Sequence, residues 1–337
     1  MTPLVVAENL SKHFPARRMF GRGRPVQAVS GVSLTVGRGE AVGLVGESGS
    51  GKSTIGRLML GLLEPSAGRV VIDGTDLGAT DADSLRRLRR RMQLVFQDPY
   101  SSLDPRRTVG AQIADGLAIH RIVPSGERRA RVEALLARVG MTPAHADRYP
   151  HEFSGGQRQR VGIARALATG PEFLVADEPV SALDVSVQAQ VLALLADLRR
   201  RLGLAMLFIS HDLPVVRSIC DRTVVLYLGR IMEEGPAGEV FERPRHPYTK
   251  ALLSASPTLD PARRRRRILL PGDPPSPADP PSGCVFRTRC PWVAPVCAGA
   301  APPLRELAAG HFVACVRADA LGLGPVPDAP NGSVSQQ

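Results

Sequence analysis

The chain has 337 residues, of which 43% are hydrophobic and 22% charged, values that are ordinary for a globular protein and exclude disorder of the whole chain. Lys and Arg outnumber Asp and Glu by 43 to 32, and the small aromatic content of 4% argues against a stacking surface for single-stranded nucleic acid. No run approaches the roughly 18 apolar residues of a membrane-spanning helix, and the N-terminus lacks the layout of a signal peptide, so we expect a cytosolic chain.

The excess positive charge is largely arginine, in clusters at 86–91 and 263–267. Such clusters are compatible with nucleic acid, with anionic lipid, with a polyanionic ligand such as a nucleotide, and with a solvated surface. Charge alone does not distinguish among these four interpretations.

Strands and helices are predicted to alternate along the first 245 residues. Residues 26–45 are β-rich and are followed by a Gly-rich loop and a helix that runs from Ser53 to about residue 63. Residues 98–160 read as a helical insert, and strands return at 173–176 and 205–210 with an amphipathic helix between them. This alternation predicts an α/β fold with a mostly parallel sheet.

The composition changes after residue 244, where a Pro-rich stretch predicts a linker or an irregular small domain. The tail at 321–337 has the composition of a disordered segment.

The Gly-rich loop fits the phosphate-binding pattern G-x-x-x-x-G-K-[ST], placed between a buried strand and a helix. Its glycines let backbone N–H groups point at phosphate oxygens, and the helix adds the positive end of its dipole. We expect Lys52 to reach the β- and γ-phosphates and Ser53 to bind Mg²⁺. The predicted ATP-binding residues are Gly46, Glu47, Ser48, Gly49, Ser50, Gly51, Lys52, Ser53 and Thr54.

A second chemical feature is an apolar strand that ends in two carboxylates, Asp177 and Glu178. Charge at the end of a buried strand is costly unless a cation lies beside it. We therefore predict that Asp177 holds Mg²⁺, directly or through water, and that Glu178 is the general base for the attacking water.

The segment Ser154-Gly155-Gly156-Gln157, which opens a predicted helix, resembles the signature motif of the ABC ATPase family. The resemblance implies a P-loop NTPase with a RecA-like core sheet, a helical subdomain insert at about 98–160 and a small irregular C-terminal domain, the nucleotide-binding domain spanning 4–245. In this family the signature faces the γ-phosphate of ATP held by the opposite subunit.

Other residues match further elements of the same family, each in the expected order. Gln97 is similar to the Q-loop glutamine, a further Mg²⁺ contact, and Asp184 to the D-loop aspartate at the dimer seam. His211 matches the switch histidine, and the aromatic that stacks on adenine corresponds to Phe14, with the neighbouring His13 as an alternative.

The later part of the chain resembles the ATPases of oligopeptide and dipeptide importers, with a close similarity to the F-type subunit of dipeptide systems. The resemblance rests on RHPYTKALLSASP at 245–257 and PPSGCVFRTRC at 280–290, within a C-terminal region taken as 246–320. It implies import of peptides, or of nickel complexes or other small solutes. It also implies a second, homologous ATPase subunit, two membrane permeases, an extracytoplasmic binding protein and a peripheral position on the cytoplasmic face of the membrane.

Four cysteines crowd into this region, Cys284, Cys290, Cys297 and Cys315. Their spacing lacks the tight Cys-x-x-Cys of most zinc ribbons but is compatible with Cys₄ ligation of a cluster. The resemblance favours a 4Fe–4S cluster, with zinc and free or disulfide-bonded thiols as alternatives.

Two other functions fit the sequence less well than import. A soluble ABC protein that acts on nucleic acid would suit the basic charge, but such proteins usually carry two cassettes or a long coiled coil, and we expect no nucleic-acid partner. An exporter motor is disfavoured because exporters often fuse the cassette to a membrane span.

Overall fold

The computed structural model describes residues 3–15, 24–98, 102–256 and 267–324. The chain divides into two compact units that interleave along the sequence. The first unit comprises residues 1–10, 33–42 and 53–210, and the second comprises 11–32, 43–52 and 211–337.

The described strands are β1 (Val5–Phe14), β2 (Val26–Val36), β3 (Ala41–Val45), β4 (Ala67–Ile72), β5 (Thr75–Asp76), β6 (Met92–Val95), β7 (Phe173–Asp177), β8 (Ala205–Ile209), β9 (Arg222–Tyr227), β10 (Arg230–Pro236), β11 (Arg305–Ala308) and β12 (His311–Val313). The described α-helices are α1 (Lys52–Met59), α2 (Ala82–Arg91), α3 (Val109–Ile119), α4 (Arg128–Arg138), α5 (Gly155–Leu167), α6 (Val185–Leu202), α7 (Leu213–Ile219), α8 (Ala237–Glu242), α9 (Pro247–Ala255) and α10 (Ala318–Leu321). Short 3₁₀ helices lie at Ser125–Glu127, Pro143–Asp147, Pro150–Glu152 and Pro295–Ala298.

The first unit contains the predicted parallel strands. β6 pairs with β7 and β7 pairs with β8, both in parallel, with Val175 opposite Leu94 on one side and Leu207 on the other. Every residue of β7 and β8 is buried, which explains why both strands read as continuous apolar runs. The connecting helix α6 buries Val191, Leu195 and Leu198 and ends at a left-handed glycine, Gly203.

The helical insert also lies in the first unit. Helices α3, α4 and α5 pack against one another, with Val132, Leu135 and Leu136 of α4 buried at the predicted helical spacing. The same unit contains β4, β5 and parts of β1 and β2 in a four-stranded sheet of order β2-β1-β4-β5.

The second unit contains an antiparallel group in which β10 pairs with β9 and with β12, and β12 pairs with β11. Helices α7, α8 and α9 belong to this unit. Residues 267–304 carry only a short 3₁₀ helix among the described elements, as their proline content predicts.

Three expectations differ from the structure or fall outside it. The region after residue 244, predicted to be a linker or an irregular small domain, begins with a regular helix, α9. Helix α1 ends at Met59 instead of continuing to residue 63, because Gly61 takes a left-handed conformation (φ +61°) and turns the chain. Most of the predicted disordered tail, from residue 325 onward, lies outside the described residues. Among the helices described, none is both long and apolar enough to cross a membrane.

Candidate functional site

The phosphate-binding loop follows the fully buried strand β3, and three of its glycines have positive φ. Gly46, Gly49 and Gly51 lie at φ +152°, +76° and +103°. A Cβ on Gly46 would lie 2.1 Å from the Leu226 carbonyl oxygen, and one on Gly51 would lie 2.3 Å from that of Ala28. The loop therefore requires glycine at these two positions both for its conformation and for its close packing.

Lys52 is buried inside this loop, with 5% of its surface exposed. Its Nζ donates hydrogen bonds to the carbonyl oxygens of Gly46 at 2.8 Å and Glu47 at 2.9 Å. The ammonium group is thus held where the loop curls around it, and the carbonyls compensate for part of its lost hydration. The Ser50 hydroxyl is also buried and has no hydrogen-bond partner among the described residues.

The first unit brings two predicted magnesium ligands together. The Ser53 hydroxyl donates to Oδ1 of Asp177 at 2.9 Å, and Asp177 is 7% exposed. Hydroxyl and carboxylate oxygens are hard ligands of the kind that Mg²⁺ prefers, and here one of each lies side by side. The pair therefore fits the predicted cation.

Glu178 has a strained backbone, since its φ of +45° is unusual for a residue with a side chain. Its N–H donates to the Ile209 carbonyl at 2.9 Å, and its Oε2 accepts from Nε2 of Gln97 at 3.0 Å. The structure thus joins the predicted base to the predicted Q-loop residue. Strain of this kind typically persists where geometry serves function, which agrees with the role predicted for Glu178.

The signature segment forms the N-terminus of α5. The Ser154 hydroxyl accepts from the Gln157 N–H at 3.3 Å while the Gln157 side chain accepts from the Ser154 N–H at 3.0 Å, a reciprocal capping box. A Cβ on Gly156 would lie 2.3 Å from Cγ1 of Val187 on α6, so the helix start packs tightly there. Ser154 is exposed, as is Asp184, the residue that precedes α6.

Phe14 and His211 both belong to the second unit, Phe14 on β1 and His211 just before α7. Phe14 is half-buried at the end of β1 with the Lys12 ammonium 5.4 Å from its ring centre. His211 is exposed and directly precedes Asp212, which caps α7. Their proposed contacts with ATP remain predictions.

The four late cysteines line one small cavity in the second unit. Cys284, Cys297 and Cys315 are buried, and burial raises the pKa of the Cys290 thiol to about 11. Within the part of the chain that the structure describes, no group of three or more His, Cys, Asp or Glu side chains is arranged to hold a metal ion. The predicted 4Fe–4S cluster therefore has no support from this arrangement.

Two residues that the sequence did not single out contact the phosphate-binding loop within the second unit. Tyr248 and Arg289 both bond to Glu47, the second residue of the loop. They lie in the RHPYTKALL and FRTRC segments. Both segments carry the importer resemblance, but the sequence does not show that their tyrosine and arginine contact Glu47.

Comparison with known proteins places the chain among ATP-binding subunits of transporters. The ABC transporter family matches residues 29–181, and the family described as the oligopeptide/dipeptide transporter C-terminal region matches residues 232–297. A peptide import ATP-binding protein of Brucella ovis is 56% identical over 316 residues, covering 94% of this chain and 98% of that protein. An oligopeptide transport ATP-binding protein of Bacillus subtilis is 51% identical over 312 residues, covering 91% and 95%.

Solved structures give the same answer for the fold. A dimeric ATP-binding cassette in a post-hydrolysis state, bound to ADP and phosphate, is 31% identical with a TM-score of 0.61, covering 69% of this chain and 98% of that one. The predicted α/β ATP-binding cassette is therefore confirmed. The chain belongs to the ABC transporter family as a subunit that binds and hydrolyses ATP to drive transport, in the branch that carries the oligopeptide/dipeptide transporter C-terminal region.

Proposed function

We propose that this chain powers the import of peptides across the cytoplasmic membrane. The supporting observation is its similarity, over nearly their whole lengths, to relatives named for peptide import and oligopeptide transport. The match to the oligopeptide/dipeptide C-terminal region at 232–297 supports the same substrate class. The permeases and an extracytoplasmic binding protein would select the peptide, and ATP hydrolysis by this chain would drive its transport.

The hydrolytic step is assigned to Glu178. Its carboxylate would take a proton from the attacking water as the water adds to the γ-phosphorus, and the bond to the ADP oxygen breaks. The Gln97 amide, 3.0 Å from Oε2, would hold the carboxylate in place before the water arrives. Lys52 and His211 would stabilise the charge on the γ-phosphate.

Ser53 and Asp177 are the residues that would hold Mg²⁺, since their oxygens already lie 2.9 Å apart. The ion would neutralise negative charge on the phosphate oxygens. Gln97 would complete the set from the Q-loop.

A second ATPase subunit is part of the proposal, because the signature residues of one subunit would face the ATP bound by another. The exposure of Ser154 and Asp184 and the capped start of α5 support this role. The N-terminus of a helix is suited to a phosphate, because the positive end of the helix dipole lies there. The partner would be a homologous chain, as the resemblance implies.

A groove of about 580 Å³ in the first unit is proposed as the docking site of a permease segment. Three of its lining side chains are unusually exposed for apolar residues, namely Leu62 at 52%, Phe96 at 46% and Ile119 at 55%. Phe96 directly precedes Gln97, so a segment seated in the groove would press on the residue that holds Glu178. The chain would thereby lie peripherally on the cytoplasmic face of the membrane.

Uptake by proteoliposomes that contain the chain, its second ATPase subunit, both permeases and the loaded binding protein tests the proposal. We expect ATP-dependent accumulation of a labelled di- or oligopeptide, absent when Lys52→Ala replaces the normal chain. Accumulation of nickel or another small solute without peptide uptake would overturn the substrate assignment. Salt-sensitive binding of duplex nucleic acid with no transport would overturn the whole proposal.

A further inference from the structure

Glu47, in the phosphate-binding loop, is held at both its backbone and its side chain by residues from beyond position 245. Its N–H donates to the Tyr248 hydroxyl at 2.9 Å. Its carboxylate accepts from Nη1 of Arg289 at 2.8 Å to Oε2 and 3.1 Å to Oε1. The carbonyl oxygen of Glu47 also accepts a hydrogen bond from Lys52 Nζ at 2.9 Å. Contacts that fix Glu47 therefore also help to fix the position of Lys52.

Tyr248 is itself rigidly placed by an aromatic cluster. It is fully buried, with its ring centre 4.7 Å from that of Tyr227 and 5.2 Å from that of Phe286. It is the second residue of α9, whose start is capped by the His246 ring accepting the Tyr248 N–H at 3.0 Å. A tyrosine fixed this way presents its hydroxyl at one position.

The chain leading into α9 is fixed in turn by a buried carboxylate. Glu233 of β10 is 0% exposed and accepts the backbone N–H groups of Arg245 at 2.7 Å and His246 at 2.9 Å. It also pairs with Nε2 of His311 on β12 at 2.7 Å. The start of α9, which carries Tyr248, is therefore hydrogen-bonded to strand β10 of the second unit.

Arg289 lies between Cys284 and Cys290 of the cysteine-lined segment. Its side chain is 10% exposed and that of Glu47 is 26% exposed, so the charge pair is largely shielded from water. Charge-assisted hydrogen bonds in such surroundings are stronger and more specific than those at an open surface.

From this network we propose that Tyr248 and Arg289 are positioning residues for ATP binding, which gives the C-terminal region a direct part in the shape of the phosphate-binding loop. By fixing Glu47 they hold the loop in its binding conformation before the nucleotide arrives. Without them the loop would have to be ordered by ATP itself, at a cost in affinity. The proposal rests on the ATP-binding role of the loop.

Nucleotide affinity of the full-length chain tests it, measured by titration with a fluorescent ATP analogue. We expect Tyr248→Phe and Arg289→Gln each to raise the dissociation constant about tenfold, the scale of one charge-assisted or buried hydrogen bond. The maximal hydrolysis rate at saturating ATP should change far less, because Lys52, Asp177 and Glu178 are untouched. Arg289→Lys should recover part of the affinity.

A double-substitution cycle separates positioning from general stability. If Arg289 acts through Glu47, then Glu47→Gln combined with Arg289→Gln should weaken binding no more than either change alone. Arg287→Gln is the matched control, since Arg287 lies two residues away and bonds to Ser282 instead. Thermal unfolding of each variant shows whether it is folded, and Tyr248→Phe keeps the ring that packs.

Unchanged affinity in both Tyr248→Phe and Arg289→Gln, or additive losses in the cycle, would overturn the positioning role. Lys52→Ala must abolish binding in the same assay. If it does not, the ATP-binding role of the loop fails as well. If Lys52→Ala abolishes binding but Tyr248→Phe and Arg289→Gln both leave the affinity unchanged, this inference alone is overturned.

Discussion

Acidification should destabilise the second unit through one histidine, His246. This side chain is fully buried, and burial lowers its pKa from the ordinary 6.5 to about 3, although a hydrogen bond with the Ala314 backbone opposes the shift. The neutral ring caps α9 by accepting the Tyr248 N–H. Protonation would remove that acceptor and place a charge in the interior.

The unfolded chain takes up a proton on this ring near pH 6.5, whereas the folded chain resists protonation until about pH 3. The stabilisation is therefore complete above pH 6.5 and is lost as the pH falls through this window. At about 1.4 kcal/mol per pH unit, lowering the pH from 7 to 5 should reduce the free energy of unfolding by about 2 kcal/mol through this residue.

Urea unfolding at both pH values measures this loss. The single tryptophan of the chain, Trp292, lies in the second unit and reports its unfolding by fluorescence. His246→Asn is the matched control, because an amide oxygen can still cap α9 but does not titrate. An equal loss of stability between pH 7 and pH 5 in both proteins would refute the reasoning.

Three further predictions concern the signature, the base and the thiols. Gly156→Ala should destabilise the chain by about 1–3 kcal/mol, because the new Cβ would clash with Val187. Adding Val187→Ala should restore most of the lost stability, measured by thermal unfolding. Failure of the second change to restore stability would contradict the packing argument. Glu178→Gln should bind ATP as before and hydrolyse it about 10²-fold more slowly or worse, and ordinary turnover in a phosphate-release assay would exclude it as the base. The Cys290 thiol, with its pKa raised to about 11, should react with iodoacetamide at pH 8 about 100-fold more slowly than glutathione, and equal rates by mass spectrometry would contradict this.

Several parts of the site were predictable from the sequence because their backbone conformation is determined by residues that are close together in the chain. The tight turns at the loop glycines, the helix that begins after Ser154 and the buried strand before Asp177 each follow from a few neighbouring residues. The same is true of the parallel strands β7 and β8, which read as apolar runs of the right length. The comparisons confirm the fold to which these elements belong.

Contacts between distant segments were not predictable in this way. Nothing near Glu47 in the sequence indicates that residues 201 and 242 positions later hold it. The left-handed backbone of Glu178 was also unforeseen, because the strain is imposed by its surroundings and not by its residue type.

The spacing of the four late cysteines along the chain is not enough to predict a metal centre. Four thiols do line one cavity, so the expectation that they cluster is met. Spacing does not set the distances or directions that a metal centre needs, and burial favours the protonated thiol over the thiolate ligand.

The most direct test of the motor is a nucleotide-loaded structure of the assembled transporter that carries Glu178→Gln to prevent turnover. We predict ATP enclosed between the loop at 46–53 of one ATPase subunit and Ser154–Gln157 of the other. ATP bound to the loop with the partner's signature residues far away, in a fully loaded complex, would contradict the account.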